Sequence, residues 1–222
     1  MIFSEKIIQK KLDKLAEAIV QYDGDTASTL SMELLALGIE PRRIINEGLS
    51  KGMQVVNDKF NRLEVFLPHL IFATDAMQSV VGKITAHLPK EKKEELTLGK
   101  VVLGTVTGDI HDMGKNIFKI LLLAAGFEVY DLGVDVPNEF FVNRAEEVTA
   151  DIIALSCLMT TTLMQLKEVI EDLIRLNIRD KYKVLVGGGA VTKEWAEKIG
   201  ADGYAAEATK GVELAKKVLR KD

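Results

Sequence analysis

Two different hydrophobic patterns divide the chain. Over the first 88 residues, apolar residues recur at spacings of three and four, as on the buried face of an amphipathic helix. The first such run ends at Gly24, and a second is capped by Asp25 and closed by Gly38. A third begins at Pro41 and a fourth near Val65. Four helices with short connections predict a helical bundle.

From Leu98 onward, short β-rich runs alternate with helical patterns. The predicted strands are 100–105, 127–132, 152–156 and 184–186, with a weaker one near 202–205. The predicted helices lie at about 114–125, 138–149, 160–177, 191–198 and 208–220. Such alternation is typical of a parallel sheet with helices on both faces. The nearly continuous apolar strands agree, because parallel strands are buried on both sides.

A charged segment separates the two patterns. In the stretch Pro89–Glu95, all six residues after the proline are charged, as expected of a solvated linker. We therefore predict a helical domain at 1–89, a linker at 90–98 and an α/β domain at 99–222. Such a linker would allow one domain to move relative to the other.

Composition and charge exclude several classes of function. Lys and Arg are scattered along a chain of net charge −4, which argues against a nucleic-acid or acidic membrane surface. The N-terminus does not resemble a signal peptide, and no apolar run approaches the roughly 20 residues of a membrane span. A single cysteine, Cys157, excludes an intrachain disulfide and favours a reducing cytoplasm.

The loop after the first predicted strand is the candidate for chemistry, because ligands of open parallel sheets bind outside the carboxyl ends of the strands. It reads TGDIHDMGKN over Thr107–Asn116. Its glycines match neither the dinucleotide-binding pattern nor a Walker A sequence, so a dehydrogenase and a P-loop enzyme are disfavoured. It does place Asp109 two residues before His111, and a carboxylate on one ring nitrogen makes the other a better metal ligand.

An ordinary zinc site does not fit this loop. Zinc needs three or four protein ligands, and the other histidines, His69 and His87, lie in the helical half. One histidine suffices where the metal brings most of its own ligands, as a haem or a corrin does. From the residues alone, His111 is either such a ligand or a polar loop residue.

Several motifs carry a resemblance to one family. The loop GDIHDMGKN at Gly108–Asn116 resembles the Asp-x-His-x-x-Gly cobalamin-binding motif. The segment Ser156–Thr162 is similar to the Ser-x-Leu segment of the same domains, and Gly187–Gly189 and Gly200–Tyr204 continue the likeness. Val65–His69 is similar to part of the family's fourth helix. The chain resembles the small corrinoid proteins of methylamine, methanol and methoxy-compound methyltransferase systems, which are related to the cobalamin module of methionine synthase.

The resemblance implies a four-helix bundle cap followed by a flavodoxin-like (Rossmann-like) domain that binds cobalamin. His111 would be the lower axial ligand of the cobalt, Asp109 would hold its imidazole, and Thr162 would take the third place in a proton-linked chain. Phe60 and Leu67, with Leu70 as a weaker candidate, would shield the upper face, although such a stripe is also what a bundle core contains. The other residues implied in cofactor binding are Gly108, Ile110, Asp112, Met113, Gly114, Ser156, Leu158, Thr160, Gly187, Gly188 and Gly189.

The function implied is that of a methyl carrier. A substrate-specific methyltransferase would methylate Co(I), and an acceptor methyltransferase would pass the methyl group from methyl-Co(III) to tetrahydrofolate or coenzyme M. A reductive activation protein would be a third partner. The chain offers no substrate pocket with acid–base residues, so we do not expect it to turn over alone.

Two alternatives come from other classes of protein. A cobalamin-binding sensor would need a DNA-binding or signalling output, and neither a helix-turn-helix nor a basic stripe is present in the sequence. A cobalamin-binding subunit of an adenosylcobalamin-dependent isomerase would place the cofactor against a catalytic barrel, whereas the helical half predicts a bundle. Preference for the adenosyl form of the cofactor distinguishes the isomerase subunit from the carrier.

Overall fold

The computed structural model describes residues 5–86, 88–89, 92–93 and 95–219. The N-terminal four residues, His87 and the linker residues Lys90, Glu91 and Glu94 lie outside the described residues, as do 220–222. The chain divides into two compact units, one of Met1–Thr97 with Leu123–Gly126 and one of Leu98–Leu122 with Phe127–Asp222. The predicted domain limits themselves stay a prediction. Across the described ranges, no helix is both long enough and apolar enough to cross a bilayer.

The first unit is helical, as predicted. Its helices are α1 (Glu5–Val20), α2 (Gly24–Ala36), α3 (Pro41–Ile44), α4 (Ser50–Asn61) and α5 (Leu67–Thr85). A π-helical turn at Ile45–Leu49 joins α3 to α4 without a break, so these segments form the single third helix of the bundle. The core lies between the apolar faces of the helices, where Leu12, Leu15, Leu34, Met53 and Met77 are buried.

The predicted cap of α2 is wrong by two residues. The carboxylate of Asp23, rather than that of Asp25, accepts a hydrogen bond from the Thr26 N–H at 2.9 Å. Asp25 lies in the first turn, where its charge faces the positive end of the helix dipole. Both residues are acidic and close to the helix start, so the pattern alone did not distinguish them.

The second unit is a five-stranded parallel sheet with intervening helices. Its strands are β1 (Lys100–Thr105), β2 (Glu128–Asp131), β3 (Ile152–Ser156), β4 (Lys183–Gly187) and β5 (Gly203–Ala205). Its helices are α6 (Met113–Ala125), α7 (Asn138–Val148), α8 (Leu163–Arg175), α9 (Lys193–Ile199) and α10 (Ala208–Leu219). The strand order is β2-β1-β3-β4-β5, that of the flavodoxin-like fold. The predicted fold class is confirmed.

The two faces of the sheet are packed differently. On one face, alternate strand residues such as Val102, Ile153 and Val184 join α7, α8 and α9 in a continuous apolar core. On the other face, the strand register aligns Leu103, Ala154, Leu185 and Gly203 in one row across four strands. A second row, two residues further along each strand, consists of Thr105, Ser156, Gly187 and Ala205. Most of these eight side chains are small, which leaves room above this face.

A buried ion pair joins α6 to the end of β2. The ammonium of Lys115, whose side chain is 2% exposed, donates to the Asp131 carboxylate at 2.7 Å. Asp131 also accepts from Lys119 at 3.2 Å and from the Gly133 N–H at 3.0 Å. Burial alone would raise the pKa of Asp131, but these partners outweigh it and lower the pKa below its ordinary value. The carboxylate therefore stabilises the fold in its charged form.

We expect Asp131→Asn to lower the free energy of unfolding by about 2 kcal/mol, because the buried ammonium would lose its counter-charge. Asp131 is partly exposed, so this loss of stability is smaller than the loss caused by breaking a fully buried ion pair. Since the folded pKa is lowered, the contribution of Asp131 is present above about pH 4 and is lost as the pH falls further. Urea denaturation at pH 7 and at low pH measures both effects.

Glu171→Gln is the matched control, because the Glu171–Lys167 pair lies on the exposed surface of α8. Loss of such a pair changes stability by about 0.5 kcal/mol or less. If both substitutions lowered the free energy of unfolding equally at pH 7, the Lys115–Asp131 pair would stabilise the protein no more than an exposed ion pair does.

Candidate functional site

The loops that follow β1 and β3 meet at the carboxyl edge of the sheet. The strand order reverses between these two strands, and such a switch point forms a crevice where ligands bind. The loop after β1 carries Asp109 and His111, and the loop after β3 carries Leu158 and Met159. The predicted motifs therefore lie beside each other.

Asp109 joins the two loops. Its side chain is fully buried, and Oδ1 accepts from the His111 N–H at 3.0 Å and lies 2.7 Å from His111 Nδ1. Its other oxygen accepts from the backbone N–H groups of Leu158 at 2.6 Å and Met159 at 3.1 Å. Burial alone would raise the pKa of Asp109, but the bonds from His111, Leu158 and Met159 outweigh it and lower the pKa. The site thus holds Asp109 as a carboxylate.

His111 is positioned by contacts at its ring and at its backbone. Because a carboxylate oxygen can only accept, this contact places a ring proton on Nδ1, and Nε2 is then the nitrogen that carries the lone pair in the neutral imidazole. The backbone carbonyl of His111 accepts from the hydroxyl of Thr105, a fully buried residue at the end of β1, at 2.9 Å. The side chain of His111 is half exposed. The result is an oriented imidazole whose Nε2 can bind a metal.

Thr162 does not bond to Asp109 in this structure. Its hydroxyl donates to the Met159 carbonyl at 3.0 Å and lies 3.2 Å from the Cys157 sulfur. The backbone N–H groups of Leu158 and Met159 occupy Asp109 Oδ2 instead. Burial raises the pKa of the Cys157 thiol, which keeps it neutral. Thr162 and Asp109, which the resemblance places in one chain, are therefore linked only through the backbone of Met159.

Most of the other predicted residues lie at the same edge of the sheet. Ile110 and Met113 are 73% and 77% exposed, so two large apolar side chains flank His111 in solvent. Gly108 adopts a left-handed backbone (φ +81°), and its N–H donates to Asp135. Asp112, Gly114, Leu158 and Thr160 are exposed, and Ser156 ends β3 half-buried.

The three glycines after β4 allow a close approach of two loops. Gly188 has φ +111°, and a Cβ built on it would lie 2.2 Å from the carbonyl oxygen of Cys157. At the preceding residue, the carbonyl of Gly187 accepts a hydrogen bond from the Cys157 N–H at 2.9 Å. Gly188 is therefore a position where only glycine fits, and it fixes the loop that supplies the Leu158 N–H to Asp109.

The predicted shielding residues lie in the helical unit. Phe60 and Leu67 are half-buried, and Leu70 is fully buried in the core of that unit. Leu63 and Phe66, which the sequence analysis did not single out, are the most exposed large apolar residues of the α4–α5 turn. A shielding role for Phe60, Leu67 and Leu70 stays a prediction.

A deep cavity of about 920 Å³ opens beside His111. It lies within the second unit, between the small-residue face of the sheet and the helices α6 and α10. Its lining at the carboxyl edge of the sheet, which we call the mouth, includes His111, Ser156 and the glycines Gly187–Gly189. The apolar side chains that line it include Leu103, Ala154 and Leu185 of the sheet and Phe118, Leu121 and Leu214 of the helices.

These features fit a cofactor that brings its own metal. Within the described ranges, no group of three or more His, Cys, Asp or Glu side chains could hold a bare ion. One oriented imidazole at the mouth of a large, mostly apolar cavity instead suits a macrocyclic cobalt complex with an organic appendage. The residues present therefore fit cobalamin.

Sequence reasoning missed the residues that support the site from behind. In the sequence, Thr105 is recognisable only as the last residue of a predicted strand. Its place directly before the ligand loop is the signal that could have pointed to a contact with His111. The side chains of α6 that line the cavity matched an ordinary amphipathic helix.

The fold and the site together define a cobalamin-binding protein of the flavodoxin-like class. Two family models agree with this, because both are described as B12 binding domains, one matching residues 99–213 and the other residues 11–85. The chain belongs to this B12-binding family, among the small corrinoid proteins. The predicted cofactor, cobalamin, is confirmed.

Curated relatives and solved structures give the same family. The chain is 44% identical over 219 residues to trimethylamine corrinoid protein 1 of Methanosarcina acetivorans, covering 99% of this chain and 100% of that protein. It is 46% identical over 211 residues to the dimethylamine corrinoid protein of Methanosarcina barkeri, covering 95% and 98%. The methanol:cobalamin methyltransferase complex of M. barkeri contains a similar chain, with TM-score 0.81, 30% identity and coverage of 99% and 86%.

Proposed function

We propose that this corrinoid protein carries a methyl group between two methyltransferases, with His111 as the lower axial ligand of the cobalt. The observation that carries the proposal is an imidazole, oriented through its Nδ1 by Asp109, at the mouth of a cavity of about 920 Å³. When bound, cobalamin supplies a cobalt centre that accepts a methyl group from one methyltransferase and yields it to another.

The residues of the chain bind and orient this cofactor. Asp109 keeps the proton of His111 on Nδ1 and makes Nε2 the better ligand. The cavity between the sheet and the helices α6 and α10 would hold the nucleotide tail of the bound cofactor, with His111 as the protein ligand of its cobalt. Ser156 and the glycines Gly187–Gly189 border the mouth and leave space for the tail to enter. Gly108, Ile110, Asp112, Met113, Gly114, Leu158, Thr160 and Thr162 complete the proposed surroundings of the cofactor.

The helical domain is proposed to cover the reactive face, with Phe60, Leu67 and Leu70 as the apolar shield. A dry cover of this kind excludes water from a reactive centre. The polar side chains of the described residues that line the cavity serve the proposed binding of the cofactor, and the proposal assigns the chemistry of donor and acceptor to partner enzymes. The proposed partners are a substrate-specific methyltransferase, an acceptor methyltransferase using tetrahydrofolate or coenzyme M, and a reductive activation protein. A cytoplasmic location is part of the same proposal.

The names of the relatives suggest which donors to test first. We expect the cobalamin-loaded protein to accept a methyl group in the presence of a methyltransferase for trimethylamine, dimethylamine or methanol. Absorption spectroscopy of the loaded protein under reducing conditions measures the methylation. The protein without cofactor and the loaded protein without methyltransferase are the controls.

Retention of adenosylcobalamin in preference to methylcobalamin would contradict the carrier function and favour the isomerase subunit. Stable binding of cobalamin without methylation by a panel of such methyltransferases would instead favour the sensor.

A further inference from the structure

The inner wall of the cavity carries almost no polar side-chain atoms. The row Leu103, Ala154 and Leu185 forms its floor, and Phe118 and Leu121 of α6 and Leu214 of α10 form its roof. The backbone groups of the floor are engaged in the hydrogen bonds of the parallel sheet. A ligand group that reaches this inner part finds a hydrocarbon surface.

The polar side chains of the lining are already paired or lie at the mouth. Lys115 is held by Asp131 at 2.7 Å, Asp112 by Asn116 at 3.0 Å, and Glu207 by Lys210 at 3.3 Å. The hydroxyls of Ser156 and Thr209 belong to the last residue of β3 and the first turn of α10, both at the carboxyl edge. Polar recognition is therefore possible at the entrance and absent further in.

We infer that the cavity selects corrinoids by the polarity of their lower base, favouring benzimidazole-type bases over purines. The inference rests on the proposed function, in which the nucleotide tail enters the cavity. In that function the corrin would lie beside His111, and the base, as the far end of its tail, would reach the inner part of the cavity. Corrinoids differ mainly in this base, and the chain thus determines which of them it accepts.

The selectivity follows from desolvation. Adenine carries an exocyclic amine and ring nitrogens that are hydrogen-bonded to water, and the inner wall offers no partners to replace that water. Dimethylbenzimidazole presents two methyl groups, which gain from contact with Leu121, Leu185 and Leu214. One buried polar group without a partner is enough to weaken binding about tenfold.

The test measures the dissociation constants of the purified apoprotein for cobalamin and for the corresponding corrinoid with an adenine base, by absorbance titration. We expect cobalamin to bind at least about tenfold more tightly. Displacement of the base from cobalt cannot produce this preference, because dimethylbenzimidazole is the more basic ligand and costs more to displace.

Leu214→Asn tests the role of the wall, because asparagine has nearly the shape of leucine and adds hydrogen-bonding groups. We expect the ratio of the two dissociation constants, for the adenine corrinoid over cobalamin, to fall several-fold in this variant. Val218→Asn, on the same helix but outside the lining, is the matched control and should leave the ratio unchanged. Circular dichroism shows whether both variants are folded. The comparison of the two corrinoids on the wild-type protein does not depend on either variant.

The outcomes separate this inference from the proposed function. Equal or tighter binding of the adenine corrinoid by the wild-type protein would overturn the inference alone. Failure to bind either corrinoid would overturn the proposed function, and the inference with it.

Discussion

Replacement of His111 by alanine is expected to weaken cobalamin binding at least about tenfold and to change the absorption spectrum of the bound cofactor. Changes to the hydrogen-bond partners of metal ligands already cost about 10- to 100-fold in affinity, and this variant removes the ligand itself. The fold should persist, because the ring of His111 is half exposed and belongs to no core. Absorbance titration and the spectrum of the loaded protein measure both effects.

Added imidazole is the control for this variant. If His111 acts through its ring, free imidazole should enter the space left by the side chain and restore the wild-type spectrum in His111→Ala. The far-ultraviolet circular dichroism of the variant shows whether the second unit is intact. An unchanged spectrum in a folded His111→Ala protein would mean that another group, or water, ligates the cobalt.

The sheet and the histidine pair were predictable because their patterns are local. The strands at 100–105 and 152–156 were predicted with their observed limits, since central parallel strands are continuous apolar runs. Asp109 and His111 are two residues apart in one loop, so their contact needs no knowledge of the tertiary fold. The carboxyl-edge rule then placed that loop at a ligand site.

The remaining partners of the site were not predictable because they come from the backbone. Asp109 Oδ2 accepts from the N–H groups of Leu158 and Met159, 49 and 50 residues away, and a backbone donor leaves no trace in the residue type. The same geometry turns the Thr162 hydroxyl toward Cys157 and Met159. The inner lining of the cavity was equally hidden, because it arises from the absence of side-chain volume in rows that cross several strands.

Gly188→Ala is expected to lower the free energy of unfolding by about 3–4 kcal/mol. A left-handed backbone costs a residue with a Cβ about 1–2 kcal/mol, and an overlap in a packed region costs about 1–3 kcal/mol more. Here the overlap is with the Cys157 carbonyl, a backbone group that cannot rotate away as a flexible side chain would. Urea denaturation of the protein without cofactor measures the loss.

The same substitution should also weaken cobalamin binding, because relief of the overlap moves the loop after β3 and with it the Leu158 N–H on Asp109. Two other glycine variants separate the cost of the left-handed backbone from the cost of the overlap with Cys157. Gly200→Ala has a left-handed backbone but no neighbour within 4 Å, so it should show the backbone cost alone, about 1–2 kcal/mol. Gly114→Ala has neither feature in this structure and should cost least. If Gly188→Ala were no more destabilising than Gly200→Ala, the two loops would be free to separate, and the glycines after β4 would not hold Asp109 in place.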